Sequence, residues 1–255
     1  MGRLIVYFFK AFGFDFIVSK ARGIFTIKIH KHAKHIDAFV TIQSLLKYTQ
    51  PKVVYDIGAN NGDWSKTLTS CADNVQSVIF FEPQQKFVDK LNVINLGKTS
   101  KKIFKAGLGN VNEVRSIIGG TASASFLDVK SDYAFAADLN SEEEENAEIF
   151  RLDDLIQNHG LPQPDTIKID VQGFELEVLK GGVNTLKNTS YVILELSFDK
   201  FYEGQYNTSE LFKMMEDLGF VMIDTGFEWR KDYKINNRLL QIDGIFENLN
   251  LIKRN

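Results

Sequence analysis

The residues with chemical promise in this 255-residue chain are acids at the ends of apolar runs. In KVVYDIGANNGDW (52–64) such a run meets Asp56 and then a loop holding Gly58, Ala59, Asn60 and Gly62. SVIFFE (77–82) ends on Glu82, KIFKAG (102–107) on Gly107 and DTIKID (165–170) on Asp170, while YVILEL (191–196) carries Glu195 near its end. Gly58 and Gly62 allow a tight turn and close backbone approach to a ligand. Their spacing is GxxxG, whereas a pyrophosphate-binding fingerprint is GxGxxG, with backbone amides and a helix dipole receiving the phosphates. Asp56, directly ahead of the loop, would repel pyrophosphate and favour a ligand bearing ammonium or sulfonium charge. Glu82, at the tip of a neighbouring strand, can accept both hydroxyls of a ribose. Asp56, Gly58, Ala59, Asn60, Gly62, Glu82 and Gly107 therefore outline a pocket for an adenosine with a cationic tail. S-adenosylmethionine is such a molecule.

The elements that must position these residues are legible from Pro51 onward. Short runs rich in Val, Ile, Phe and Tyr at 52–57, 77–82, 102–107, 165–170, 191–196 and 220–225 read as buried strands. Helix-like runs lie between most of them: WSKTLTSCA, PQQKFVDKLNVIN, FELEVLKGG and SELFKMMEDLG. Pro83 suits a first helical position, and Gly181, Gly182 and Gly219 suit helix ends. Alternating β and α predicts a twisted, mostly parallel sheet with helices on both faces. RLLQIDGIFEN (238–248) is a further strand, reached without a long crossover and so antiparallel. The stretch 108–163 is too long for a simple crossover and reads as an insertion of short strands and loops over one end of the sheet. Within it, Glu142 to Glu145 read as a solvated acidic tip, and Asp153 as a helix N-cap.

VVYDIGANNGDWS, FFEPQQKFVDKLNVIN, LDDL, IKIDVQGFELEVLKGG and YVILEL follow one another in an order that resembles the FkbM family of methyltransferases. The resemblance spans roughly residues 51–250, and its most specific block is IDVQGFELEVLKGG. It implies a Rossmann-like class I methyltransferase fold, with seven strands and the last antiparallel, using S-adenosylmethionine. It also implies O-methylation of a hydroxyl on a natural product or sugar.

In that fold DTIKID lies beside VVYDI, so Asp170 stands across one crevice from Asp56, near both the methionine end of the cofactor and the acceptor. Methyl transfer needs the acceptor oxygen in line with the methyl–sulfur bond, and a sugar hydroxyl gains from a base that takes its proton. Asp170 is the first candidate for that base, followed by Glu175 and Glu195. Gln172 and Gly173 shape the turn after Asp170. Ser123 and Ser125, in GGTASASF (119–126), are placed to hydrogen-bond polyol oxygens.

The remaining features bound the function. A formal charge of −3 offers nucleic acid no attractive overall field, and the motifs of cytosine and amino-methylating enzymes are missing. Cys71 is the only cysteine, which excludes an internal disulfide framework and a thiolate zinc cluster and suits a reducing, cytoplasmic setting. His30, His32 and His35 lack helical i, i+4 pairing and accompanying carboxylates, so no metal site is expected; His159 sits in a loop closer to the site. The first 50 residues are expected to form a helical lid. Leu4 to Phe9 is too short to span a bilayer, although Arg3, Lys10 and Lys20 would suit a helix lying on a membrane surface. Two rival readings stand beside the methyltransferase: a non-catalytic scaffold that keeps the cofactor fold, and an NAD-dependent oxidoreductase, against which the GxxxG spacing and Asp56 both count.

Overall fold

A computed structural model describes residues 15–21, 24–30, 36–119, 123–130, 144–230 and 238–252. Its centre is a seven-stranded sheet of β3 (Val53–Ile57), β4 (Ser77–Phe81), β5 (Ser100–Phe104), β9 (Thr166–Ile169), β10 (Tyr191–Ser197), β11 (Phe220–Arg230) and β12 (Leu239–Asn248). The spatial order is β11-β12-β10-β9-β3-β4-β5. β12 runs antiparallel to both β10 and β11, and the other pairings are parallel. Every expected strand is present, and the order reverses between β3 and β9, which lie side by side.

Strict alternation of side chains divides the core in two. Tyr55, Ile57, Ile79, Phe81, Ile167, Ile169, Val192 and Leu194 point to one face. There they meet α4 (Leu152–His159), α5 (Glu175–Gly181), α6 (Val183–Lys187) and α7 (Thr208–Asp217) through Leu155, Val178, Leu186 and Leu211. Val54, Val78, Phe80, Ile193 and Ile245 point to the other. α1 (Ile36–Leu45), α2 (Asp63–Cys71) and α3 (Gln85–Val93) cover that face with Ile42, Leu45, Leu68 and Leu91. Each such side chain, fully buried, contributes about 1.5–3 kcal/mol. α1, which precedes the boundary expected at residue 51, thus shares a core with β3.

The insertion forms a three-stranded sheet in the order β6-β8-β7, from β6 (Gly107–Leu108), β7 (Glu113–Ile118) and β8 (Glu144–Phe150). Glu144 and Glu145 are engaged at its rim: Ser116 donates to Glu144, and Lys105 pairs with Glu145 at 2.8 Å. Residues 142–143 lie outside the described residues.

Several expectations are corrected. Within the first 50 residues, expected to be helical, β1 (Asp15–Ala21) and β2 (Ile24–His30) form an antiparallel hairpin ahead of α1; residues 1–14, with Arg3 and Lys10, lie outside the described residues. Pro83 precedes α3, whose first turn starts two residues later at Gln85. Asp153 does not cap its own helix, which Arg151 precedes. It caps α6 instead, accepting from the amides of Asn184 and Thr185 and from the Thr185 hydroxyl. A carboxylate can serve a neighbouring helix in this way because helix starts leave backbone donors unsatisfied whichever residue supplies the acceptor.

Candidate active site

The strand ends of β3, β4, β9, β10 and β12 open onto one cavity of about 600 Å³, within the usual range of roughly 300–1,000 Å³ for small-molecule sites. Ile57 to Asn61, Glu82 to Gln84 and Ala106 to Leu108 line one side. Lys168, Asp170, Gln172, Glu195, Gln241 and Asp243 line the other, with Asp37 and Ala38 from α1. The insertion walls it with Ile117, Ala124 and Phe126. Gly58, Ala59, Asn60, Glu82, Gly107, Asp170 and Glu195 all reach the cavity, as their positions at strand ends led one to expect.

Gly58 adopts φ +76°, and a Cβ there would lie 1.9 Å from the Asp170 carbonyl oxygen. The β3 loop and the β9 tip are therefore in backbone contact, a closeness only glycine permits. The Glu82 carboxylate accepts from the Asn60 amide at 2.8 Å and the Gln84 amide at 2.9 Å. Burial nevertheless pushes its pKa up to about 7, against the lowering effect of those two amides.

Asp56 and Gly62 are placed differently from expectation. Asp56 is fully buried and does not border the cavity; Ser65 donates to it at 2.6 Å and Lys168 Nζ stands 3.8 Å away. A carboxylate with those neighbours braces the β3 loop from beneath. Gly62 faces Leu91 and Ile94, which a Cβ would meet at 2.7 Å, so its role is to seat α3 against the loop. Glu175 likewise does not line the cavity. It is buried behind the β9–α5 turn, where it accepts from the amides of Val171 and Gly173, and it braces that turn.

Lys168, near the end of β9, is a lining residue to which the strand-end pattern of acids gave no role. In the fold it neighbours Asp56 across the β3–β9 ladder, and Glu195 pairs with Asp243 across β10–β12. Alternation puts Asp56, Lys168, Glu195 and Asp243 on the same sheet face at the same end. Lys168 Nζ donates to Asp170 Oδ2 at 3.1 Å. Burial alone would lower the Lys168 pKa, but the charges of Asp170, Asp56 and Asp243 outweigh it and hold the ammonium protonated. The Glu195 pKa is raised well above the ordinary carboxylate range, by burial first and then by the charges of Asp170, Glu175 and Asp243. Asp243 is raised to about 6 by burial, opposed by the hydroxyl of Thr41 on α1 that donates to it.

Gln172 joins these groups. It donates to Asp170 Oδ1 at 2.7 Å and to Glu195 Oε2 at 3.3 Å, and accepts from the Tyr202 hydroxyl at 3.0 Å. It does so from a left-handed backbone at φ 54°, a conformation that costs a non-glycine residue roughly 1–2 kcal/mol. Asn60, at φ 48°, is the other described non-glycine residue with positive φ, and it also lines the cavity. Strain of this kind persists where surrounding contacts over-determine it. Ser125 donates to the Gln172 carbonyl at 2.6 Å and accepts from the Leu127 amide, so it holds the loop and is not placed for polyol oxygens. Ser123 does line the cavity. His159 packs edge-on against Phe104, off the cavity. His32 and His35 lie outside the described residues, and no cluster of metal-binding side chains occurs among the described ones. Among those residues, too, no helix is long and apolar enough to cross a membrane.

Residues 56–222 match the family described as the methyltransferase FkbM domain. The chain belongs to the FkbM methyltransferase family. Two curated relatives of this FkbM methyltransferase are similar over part of their length. The 2-O-methyltransferase NoeI of Sinorhizobium fredii is 28% identical over 187 residues, covering 69% of this chain and 76% of that protein. The hexuronic acid methyltransferase AglP of Haloferax volcanii is 34% identical over 77 residues, 28% of this chain and 32% of that one. Among solved structures, an FkbM methyltransferase from Methylobacillus flagellatus KT aligns at a TM-score of 0.46 and 14% identity, over 79% of this chain and 45% of that one. The N-terminal domain of EvdMO1, solved with SAH and D-fucose, aligns at 0.46 and 12% identity, over 97% of each chain. Those structural likenesses are loose, and the family assignment rests on the sequence match.

Proposed function

We propose that this FkbM methyltransferase moves the methyl group of S-adenosylmethionine to a hydroxyl of a saccharide. The observation that carries the reading is the continuity of one cavity from Glu82 at the β4 tip, past Asp170, to Glu195 and Asp243 at the β10 and β12 ends. The residues present fit the cofactor. Glu82 offers a carboxylate where ribose hydroxyls need an acceptor. Asn61 Oδ1 and Trp64 Nε1, in residues that line the cavity, are buried with no hydrogen-bond partner. An unmet acceptor and an unmet donor suit the ammonium and carboxylate of an amino-acid tail. When bound, S-adenosylmethionine supplies an electrophilic methyl on a positive sulfur. The carboxylates around Asp170 give that charge a favourable field.

On this reading Asp170 takes the proton from the acceptor hydroxyl as the oxygen attacks. Lys168 and Gln172, one on each of its oxygens, hold the carboxylate in a single orientation. Glu195, whose raised pKa favours the protonated form, donates a hydrogen bond that orients the acceptor. Glu175 supports the turn that carries Asp170. The names of NoeI and AglP, a 2-O-methyltransferase and a hexuronic acid methyltransferase, support a hydroxyl-bearing saccharide as the acceptor class.

Calorimetric titration with S-adenosylhomocysteine tests the cofactor reading, with NADH as control. Saturable binding of the former alone is expected, followed by transfer of labelled methyl to saccharides. Folded protein that binds neither nucleotide would bring the scaffold reading forward.

A further inference from the structure

We propose that Trp229, with Phe227, forms a stacking platform for an uncharged pyranose ring of the acceptor; this inference rests on the methyltransferase reading and specifies its substrate. The two residues belong to a ribbon longer than the rest of the sheet. β11 has 11 residues and β12 has 10, whereas β3, β4 and β5 have 5 each and β9 has 4. The surplus overhangs the strand ends, where the cavity opens. Register shifts between Thr225 and Glu228 and between Trp229 and Arg230 interrupt the β11–β12 ladder; irregularities of this kind bend and twist a strand and re-aim its side chains. α1 fastens the same stretch, since Thr41 accepts from the Phe227 amide at 3.0 Å.

Phe227, Trp229, Gln241 and Asp243 line the cavity as a result, on the far side of β9 and β3 from Glu82. The Trp229 side chain keeps 38% of its surface exposed and is backed by the buried Phe201, with ring centroids 5.5 Å apart and planes 30° from parallel. A pyranose presents a face of C–H bonds and a rim of hydroxyls. A supported indole suits that face, and the polar groups of Gln241, Glu195 and Asp243 suit the rim. Charge narrows the choice. Among the described residues the lining holds the acids Asp37, Asp63, Glu82, Asp170 and Asp243 against the single base Lys168, which already donates to Asp170. A hexuronate carboxylate would enter a field of its own sign, which works against binding; an uncharged ring meets no such cost.

The test uses the full chain with a panel of methyl pyranosides (gluco, galacto, manno and fuco) and D-glucuronate. Trp229→Ala is expected to raise KM for the best pyranoside at least tenfold with kcat changed less than threefold, and to leave S-adenosylhomocysteine affinity within twofold. Trp229→Phe should recover most of the KM. Intrinsic tryptophan emission of the wild-type chain should shift or quench with that pyranoside and not with D-glucuronate at equal concentration, and Trp229→Ala should abolish the response. A KM within twofold of wild type in Trp229→Ala, or D-glucuronate methylated more efficiently than the pyranosides, would overturn the proposal. Failure of wild-type protein to bind S-adenosylhomocysteine would remove the underlying reading and this subsite with it, and the calorimetry separates that outcome from the others.

Discussion

Lys168 holds its ammonium 3.1 Å from the carboxylate of Asp170, two residues further along the chain. The same nitrogen lies 3.8 Å from Asp56, which is wholly buried. One buried cation thus ties the hidden acid of the β3 loop to the acid that faces the cavity. Glu195 and Asp243 stand on the same sheet face, so the ammonium sits in a nest of four carboxyl groups. Its removal is felt by all of them.

Lys168→Met should therefore unfold more readily than any single carboxyl-to-amide change at the site. Removing one partner of a buried pair costs about 3–5 kcal/mol. The loss should shrink when Asp56→Asn is added, because the orphaned charge is then gone. Denaturant melts of both single variants and the double variant measure the coupling directly; simple additivity would mean that the pair does not interact.

Asp170→Asn retains the shape of the side chain and its hydrogen bond from Lys168, but it cannot take up a proton. Methyl transfer should fall by about 10²–10⁴-fold, the range for a lost general base, with S-adenosylhomocysteine affinity changed only a few-fold. Glu195→Gln should cost less, since an amide can still donate to the acceptor. Single-turnover assays beside calorimetry give both quantities, and equal losses in the two variants would argue against separate roles for these acids.

Glu82→Ala strips two backbone amides of their acceptor and, on the proposed reading, leaves the ribose hydroxyls without one. S-adenosylhomocysteine should bind about 10–100-fold more weakly, as expected for roughly 1.4–3 kcal/mol of charge-assisted hydrogen bonding. Because the Glu82 pKa is raised to about 7, the ionised acceptor is depleted below neutrality. Wild-type affinity should rise from pH 5.5 to 7.5 and then level off. The alanine variant should lose that slope, and a slope that survives belongs to another group.

Asp243 supplies a pH signature in stability. Its folded pKa of about 6 exceeds the ordinary value of 3.8, with burial the leading cause. Its contribution is therefore fully present below about pH 4 and is lost as pH rises through 6. Asp243→Asn keeps an acceptor for Thr41 and carries no charge. The stability of the variant relative to wild type, read from Tm, should climb between pH 4 and 7 by roughly 3 kcal/mol, the free-energy equivalent of a pKa moved from 3.8 to about 6. Calorimetric scans across that range check the sign. A Tm difference that stays flat would mean that Asp243 titrates alike in the folded and unfolded chain.

Much of the fold could be read from the chain itself. Runs such as SVIFF and YVILEL, apolar on both sides of the alternation, are what strands covered on both faces require, and their number and the antiparallel β12 came through intact. That Glu82, Asp170 and Glu195 reach the cavity was legible because strand ends border the crevice of a parallel sheet. Their order along the chain, the glycine loop and the IDVQGFELEVLKGG block carried the family.

Other assignments depended on neighbours far apart in sequence. Asp56 looks outward-facing in the string, yet its place in the β3 pleat points it beneath α2, where Ser65 and Lys168 enclose it. Glu175 looks from the string like a second candidate base, yet it is buried where the amides of Val171 and Gly173 claim it. Lys168 and Asp243 gain their meaning only when β3, β9, β10 and β12 are aligned, and Trp229 only when the β11–β12 ribbon overhangs the cavity. Which residues lie at strand ends is written in the chain, since alternation and loop chemistry are local. Which way each carboxyl faces, and what stands opposite it, was decided by strand register and helix packing, because burial and Coulomb interaction depend on distances in space that no spacing along the chain encodes.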